Sequence, residues 1–266
     1  MVLGAIAGDT IGSTYEFDNV KSEEFPLFSE TSRFTDDSVM TLAVAEGVTA
    51  ALDDGRPISA ALVRSMRELG RSYPDVGYGG RFCRWLFRDP DPAPYGSWGS
   101  GSAMRVSPVG WAFGSLDLVE FAAAETAKVT HNHPEGVRGA QAVAGCVYLA
   151  RNGAEKDDIA WYVQERFGYD LGFSLDEVRG RYEFDESCQG TVPYAIKAFL
   201  EADGFERAVR KAVSIGGDSD TIAAIAGSIA HARYGIPRPI EEETRKRLPA
   251  RLRDLNDRFC DRFGVR

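Results

Sequence analysis

The run Ser214-Ile-Gly-Gly-Asp-Ser-Asp-Thr-Ile-Ala-Ala-Ile-Ala-Gly-Ser-Ile-Ala-His-Ala-Arg233 constrains the fold of this chain more than any other stretch. From Ile222 to Ala232 nearly every residue is Ile, Ala or Gly. A helix that is apolar on all sides must be surrounded, so the run predicts a central buried helix. Its mouth carries Asp218, Asp220 and Thr221 behind Gly216-Gly217, and the glycines permit a turn that Cβ-bearing residues resist. Carboxylates at the edge of a core must be hydrogen-bonded, paired or bound to a cation. Asp and Ser cap helices well, and capping accounts for one acid more easily than for two. On this stretch alone, a cap and a metal site stand level.

A second segment repeats the logic. Arg33-Phe-Thr-Asp-Asp-Ser38 opens another mostly apolar run that continues to Leu52, with Asp53-Asp-Gly55 as its stop. Thr35, Asp36 and Asp37 thus stand where Asp218, Asp220 and Thr221 stand in the first run. Near the start of the chain, Gly4, Gly8 and Gly12 recur every four residues. On a helix they make one smooth side that another helix can approach closely.

The remaining chain reads as helices joined by loops. Pro57 starts one that reaches Tyr73, Asp117–Thr130 and Gly136–Leu149 are two more, and Asp157–Phe167 is a fourth. Phe173–Pro193 reads as a long irregular connection, followed by short helices at Tyr194–Ala202 and Phe205–Val213. Two amphipathic segments follow Pro237. No series of alternating strand patterns is present, so the expectation is an all-α fold of roughly ten helices. At 44% hydrophobic, 266 residues suffice for one sizeable core, in one large domain or two small ones, and with no obvious linker a single domain over residues 1–266 is expected.

Net charge is −9 with no block of basic residues, which argues against an extended nucleic-acid surface while leaving a single modified base open. The apolar N-terminal segment from Val2 to Ile11 is too short for a bilayer and contains Asp9, so no membrane association is expected. Cys83, Cys146, Cys188 and Cys260 are scattered, which disfavours zinc, and with no secretory signal a reducing, cytoplasmic setting is expected.

If the two acidic helix mouths meet, four carboxylates crowd one site. Unit charges ~4 Å apart repel by about 4 kcal/mol at an effective dielectric near 20. Two helix N-termini offset this with only about half a charge each. The candidate donors are all oxygens, which selects a hard cation, Mg²⁺ first and Mn²⁺ or Ca²⁺ behind. Tyr95-Gly-Ser-Trp-Gly-Ser-Gly-Ser-Ala-Met-Arg105 is either an ordinary Gly-Ser loop or a phosphate cradle in which Trp98 covers a sugar or base.

Gly8-Asp-x-x-Gly-Ser-x-Tyr-Glu16, Phe34-Thr-Asp-Asp-Ser38, Gly99-Ser-Gly-Ser-Ala-Met-Arg105, Thr130-His131 and Gly216–Gly227 together resemble the ADP-ribosylglycohydrolases, the DraG-like or ARH hydrolases. The resemblance runs in order from Gly4 to about Pro237. It implies a single compact, orthogonal multi-helix all-α domain, a dinuclear Mg²⁺ site and release of ADP-ribose from a modified target. The resemblance makes Thr35, Asp36, Asp37, Asp218, Asp220 and Thr221 metal ligands. Glu16, Asp36, Asp37 and Asp218 are its candidate catalytic residues, with Glu16 matching a mobile glutamate. Gly96, Ser97, Trp98, Gly99, Gly101, Ser102, Met104 and His131 match the ADP-ribose-binding positions. Three departures stand out: Ser38 for a commoner threonine, Ser100 for asparagine, and Trp98 for tyrosine. A non-catalytic ADP-ribose-binding relative and a two-metal phosphoesterase remain as alternative readings.

Overall fold

In the computed structural model, which describes residues 2–265, the chain forms fourteen α-helices and no strands among those residues. They are numbered α1 to α14 in chain order. The all-α expectation is met. The run that opens the sequence argument is α12 (Ser219–Tyr234), buried from Ser219 through His231. Around it stand α1 (Leu3–Gly12), α7 (Pro134–Arg151), α10 (Cys188–Leu200) and α11 (Phe205–Ser214).

The glycine face of α1 lies directly on α12. A Cβ at Gly4 would fall 2.5 Å from the Gly227 carbonyl oxygen, and one at Gly12 would fall 2.5 Å from the Asp220 Cα. One at Gly8 would overlap the Ala223 carbonyl group. The helices therefore meet backbone to backbone, and any side chain at these positions would push them apart. The second apolar run is α2 (Asp36–Asp54), stopped by Gly55 in the left-handed conformation at φ 65°. It packs on α1 and on α3 (Ile58–Ser72).

More helix is present than the roughly ten segments read from sequence. Within Phe173–Pro193, Leu175–Arg179 forms α9, opened by a capping box between Ser174 and Glu177. The next helix, α10, already begins at Cys188, where the Ser187 hydroxyl accepts from the Gly190 N–H at 2.9 Å. Pro193 therefore lies inside a helix, where it forgoes a backbone hydrogen bond. Thr191, Val192, Ala195, Ile196 and Phe199 are buried on this helix, and that packing outweighs the loss. All four cysteines are unpaired thiols, and among the described residues no helix is long and apolar enough to cross a membrane.

Replacing Gly8 by alanine is expected to lower the unfolding free energy by about 2 kcal/mol or more through overpacking, despite alanine's better helix propensity. At Gly180, a Cβ meets nothing within 4 Å. Gly180→Ala should stay within about 0.5 kcal/mol of the parent. Urea unfolding of the two variants checks the contrast.

Candidate active site

Residues 184 apart in sequence join the two acidic helix mouths: the Thr221 hydroxyl donates to Asp37 Oδ2 at 3.2 Å. The link depends on Asp9, a lone carboxylate in the wholly buried α1. Asp9 accepts from the Thr35 N–H at 2.9 Å, the Thr35 hydroxyl at 2.7 Å and the Ser38 N–H at 3.1 Å. The Ser38 hydroxyl donates to it as well. A side chain from α1 thus satisfies the first turn of α2, and Thr35 in turn accepts from the Asp37 N–H. On the other mouth, Gly216 and Gly217 both take φ 72°, the turn expected of them. Asp218 occupies the N-cap position of α12, yet its side chain makes no capping bond. Capping alone therefore does not account for this acid.

Glu16 lies just beyond the end of α1. Its carboxylate, with those of Asp218 and Asp220, offers oxygen atoms all within 4.8 Å of one another. Asn19 holds this loop in place. Its side-chain amide donates to the carbonyls of Tyr15, Glu16 and Gly217 and accepts from the Gly217 N–H at 2.8 Å. Lys21 adds bonds to the carbonyls of Ile215 and Tyr182.

Burial is the main cause that pushes these acids upward, and mutual repulsion adds to it. Asp36 and Asp37 are raised well above the usual carboxylate range by burial, then by Asp220 and Asp9. Asp218 is raised by burial and then Asp220, and burial raises Asp220 itself. Asp9 and the half-buried Glu16 are both pushed up to about 7, again by burial and then Asp220. Arg33 opposes the rise at Glu16 and Asp220. Asp37 Oδ1 is buried and has no hydrogen-bond partner among the described residues. An all-oxygen donor set, crowded and with one orphaned carboxylate oxygen, fits a hard divalent cation.

The Gly-Ser loop lines the other end of the same cavity, whose volume is about 640 Å³. That is within the range of small-molecule and cofactor sites, roughly 300–1,000 Å³. The loop is pinned by its backbone. The Ser100 N–H donates to the Glu186 carbonyl at 2.7 Å, and the Cys188 N–H donates to the Trp98 carbonyl at 3.0 Å. Gly99 and Ser187 form an isolated antiparallel bridge. Thr35, Asp36, Asp37, Asp218, Asp220, Thr221 and Glu16 all face the cavity, as do Ser97, Trp98, Gly99, Gly101, Met104 and His131. Trp98 stands 47% exposed at the rim.

Gly96 and Ser102 are not part of the lining. Gly96 takes φ 67° and gives its N–H to Asn132, making it a turn residue behind the loop. Ser102 directs its hydroxyl to the Gly136 carbonyl at 2.7 Å. His133 is exposed and caps α7, accepting from the Glu135 N–H. Arg33, Phe17, Phe184 and Glu186 also border the cavity without having been singled out from sequence, as does Tyr95 at the start of the Gly-Ser loop. A signal for Asp9 did exist: an acid in the middle of a helix with no polar face must find partners.

Fold and site together define an all-α protein with an acidic, oxygen-lined centre at one end of a nucleotide-sized cavity. The sequence pattern of the family described as ADP-ribosylglycohydrolase matches residues 1–266. ADP-ribosylhydrolase ARH3 of Mus musculus is 26% identical over 88% of this chain and 82% of its own length. ADP-ribosylarginine hydrolase Tri1 of Pseudomonas putida (strain GB-1) is 29% identical over 88% of this chain and 70% of its own. A solved structure titled "ADP-ribosylglycohydrolase-related protein complex" superposes with a TM-score of 0.68 at 26% identity, covering 92% of this chain and 93% of that one. The chain belongs to the ADP-ribosylglycohydrolase family. It is a hydrolase acting on ADP-ribosyl linkages.

Glu16 supplies a test of the site's electrostatics. Its folded-state value of about 7 lies above the ordinary 4.5, so the folded protein binds more protons than the unfolded chain between these values. The stability contributed by this group therefore falls as pH rises through that window. In EDTA, Glu16→Gln is expected to gain on the parent by about 1–2 kcal/mol between roughly pH 5 and pH 7.5, after discounting for partial exposure. Urea midpoints across that range check it; a gap that does not change with pH would refute the assignment.

Proposed function

We propose that the protein releases ADP-ribose from a modified target by hydrolysing the bond to its anomeric carbon, in a reaction that requires two Mg²⁺ ions or Mn²⁺ in their place. One observation carries the reading: the helix mouths at Thr35–Asp37 and Asp218–Thr221 converge on the end of a cavity that the Gly-Ser loop lines elsewhere. Thr35, Asp36, Asp37, Asp218, Asp220 and Thr221 would hold the ions. When bound, the ions supply positive charge to the ribose hydroxyls and lower the pKa of a water.

The chain's own residues do the rest. Cleavage builds oxocarbenium-like charge on the ribose. The carboxylates of Asp36, Asp37 and Asp218 face the place where that charge grows and orient the attacking water. Glu16 stands over Asp218 and Asp220 with its backbone held by Asn19, which suits it to take the water's proton. Ser97, Trp98, Gly99, Gly101 and Met104 border the space left for the diphosphate and distal ribose, and His131 lies beside them. The modified target is a protein side chain, a nucleic-acid base or a small molecule. Four unpaired thiols support a reducing, cytoplasmic setting.

A panel of defined ADP-ribosyl linkages, assayed with and without Mg²⁺, tests the reading. Free ADP-ribose should appear only with the ion, and AMP or phosphate as product would replace this reaction with phosphoester hydrolysis. Asp36→Ala and Asp218→Ala should each lower turnover by about a thousandfold or more with helical content unchanged by circular dichroism. Wild-type activity in either variant would remove the site assignment.

A further inference from the structure

Arg105 is among the largest fully buried side chains of the protein, and it pairs with no carboxylate among the described residues. It is the last residue of the Gly-Ser stretch and borders the cavity. Burial pushes its guanidinium down to about 10, which still leaves it a cation at neutral pH. Its Nη2 donates to the Thr130 hydroxyl oxygen at 2.8 Å. That same oxygen lies 2.7 Å from His131 Nδ1.

Donor and acceptor counting fixes the protons. A guanidinium has only donors, so Thr130 Oγ1 must accept from Arg105. The one proton of the Thr130 hydroxyl is then free to point at His131 Nδ1, which accepts it. The opposite choice, with Nδ1 protonated, would leave the threonine proton without an acceptor in a fully buried place. The imidazole therefore carries its proton on Nε2. That atom has no hydrogen-bond partner among the described residues, and it lies 3.1 Å from where a Cβ of Gly101 would be. The Nε2–H edge thus abuts the glycines of the loop, on a residue that lines the cavity.

The surroundings keep the ring neutral. Burial first, then the positive charges of Arg105 and Arg81, push His131 well below the ordinary histidine range. The Tyr95 ring lies 6.1 Å away, and the Arg81 guanidinium lies over that ring at 4.8 Å from its centroid.

We infer that Arg105 and Thr130 act as a positioning relay that holds His131 as a fixed Nε2–H donor to an oxygen of the ligand bound along the Gly-Ser loop. The role of that ligand rests on the ADP-ribosyl reading above; the tautomer does not. Arg105 and Thr130 touch no ligand in this scheme and act through the histidine.

Nitrogen-15 NMR of the three histidines separates the two parts. His131 should show a neutral, Nε2-protonated ring from about pH 5.5 to pH 8. Thr130→Val should lose that single tautomer, and Thr130→Ser should restore it. By calorimetry, Thr130→Val and Arg105→Met should bind ADP-ribose about tenfold or more weakly, with Thr130→Ser close to the parent. A His131 protonated on Nδ1, or one that titrates within that range, overturns the relay. A correct tautomer with unchanged ADP-ribose affinity in Thr130→Val overturns its positioning role. A parent protein with the correct tautomer and no affinity for ADP-ribose overturns the ADP-ribosyl reading, and the ligand named here falls with it.

Discussion

The approach of α1 to α12 through bare glycine faces sets the position of almost everything in the site. With Gly12 against the Asp220 backbone, the C-terminal end of one helix lies beside the N-terminal end of the other. The Ser219 hydroxyl closes this corner by donating to the Gly12 carbonyl at 3.1 Å. Asp9, one turn earlier, is then carried to the first turn of α2, and Glu16 emerges over Asp218 and Asp220. A single packing contact thus brings acids from three separate segments together. A side chain on the glycine face would shift them by the same amount that it spread the helices.

Such a cluster is expensive to fold, and the structure shows what offsets it. Asp9 receives four hydrogen bonds from Thr35 and Ser38. The positive ends of α2 and α12 face the acids, and Arg33 supplies a nearby cation. The apolar bodies of α1, α2 and α12 provide the burial that holds the mouths in place. None of these partners reaches Asp37 Oδ1. What remains is a local excess of negative charge that a divalent cation would relieve. The same geometry that strains the folded chain is suited to drawing an ion into the site.

Much of this was legible because it is written in local patterns. The all-round apolar runs, the four-residue glycine spacing and the Gly216-Gly217 turn each depend on residues close in sequence. The meeting of the two helix mouths does not. It depends on a contact between Asp37 and Thr221, which no local pattern encodes. The roles of Asn19 and Arg105 were invisible for the same reason, since Gly217 and Thr130 lie far along the chain from them. Gly96 and Ser102 belong to the right loop but face away from the cavity, because motif spacing says nothing of which residues a turn directs inward. Phe173–Pro193 reads as an irregular connection, yet it contains α9 and the first turns of α10, where tertiary packing of Val192, Ile196 and Phe199 outweighs the cost of Pro193.

The two ends of the cavity are built on different physical footings. The acidic end stands on helix termini fixed by backbone packing, where a displacement must move whole helices. The Gly-Ser end stands on a loop whose backbone bonds to Glu186, Cys188 and Thr130 hold it against other loops and the start of α10. The rim also carries Phe17, 83% exposed, and Phe184, 53% exposed, both on segments without regular structure. Substitutions at these two aromatic positions would disturb no helix and break no buried hydrogen bond. The rim is therefore the part of the site that can change shape at least cost to the fold, while the acids and the loop backbone cannot.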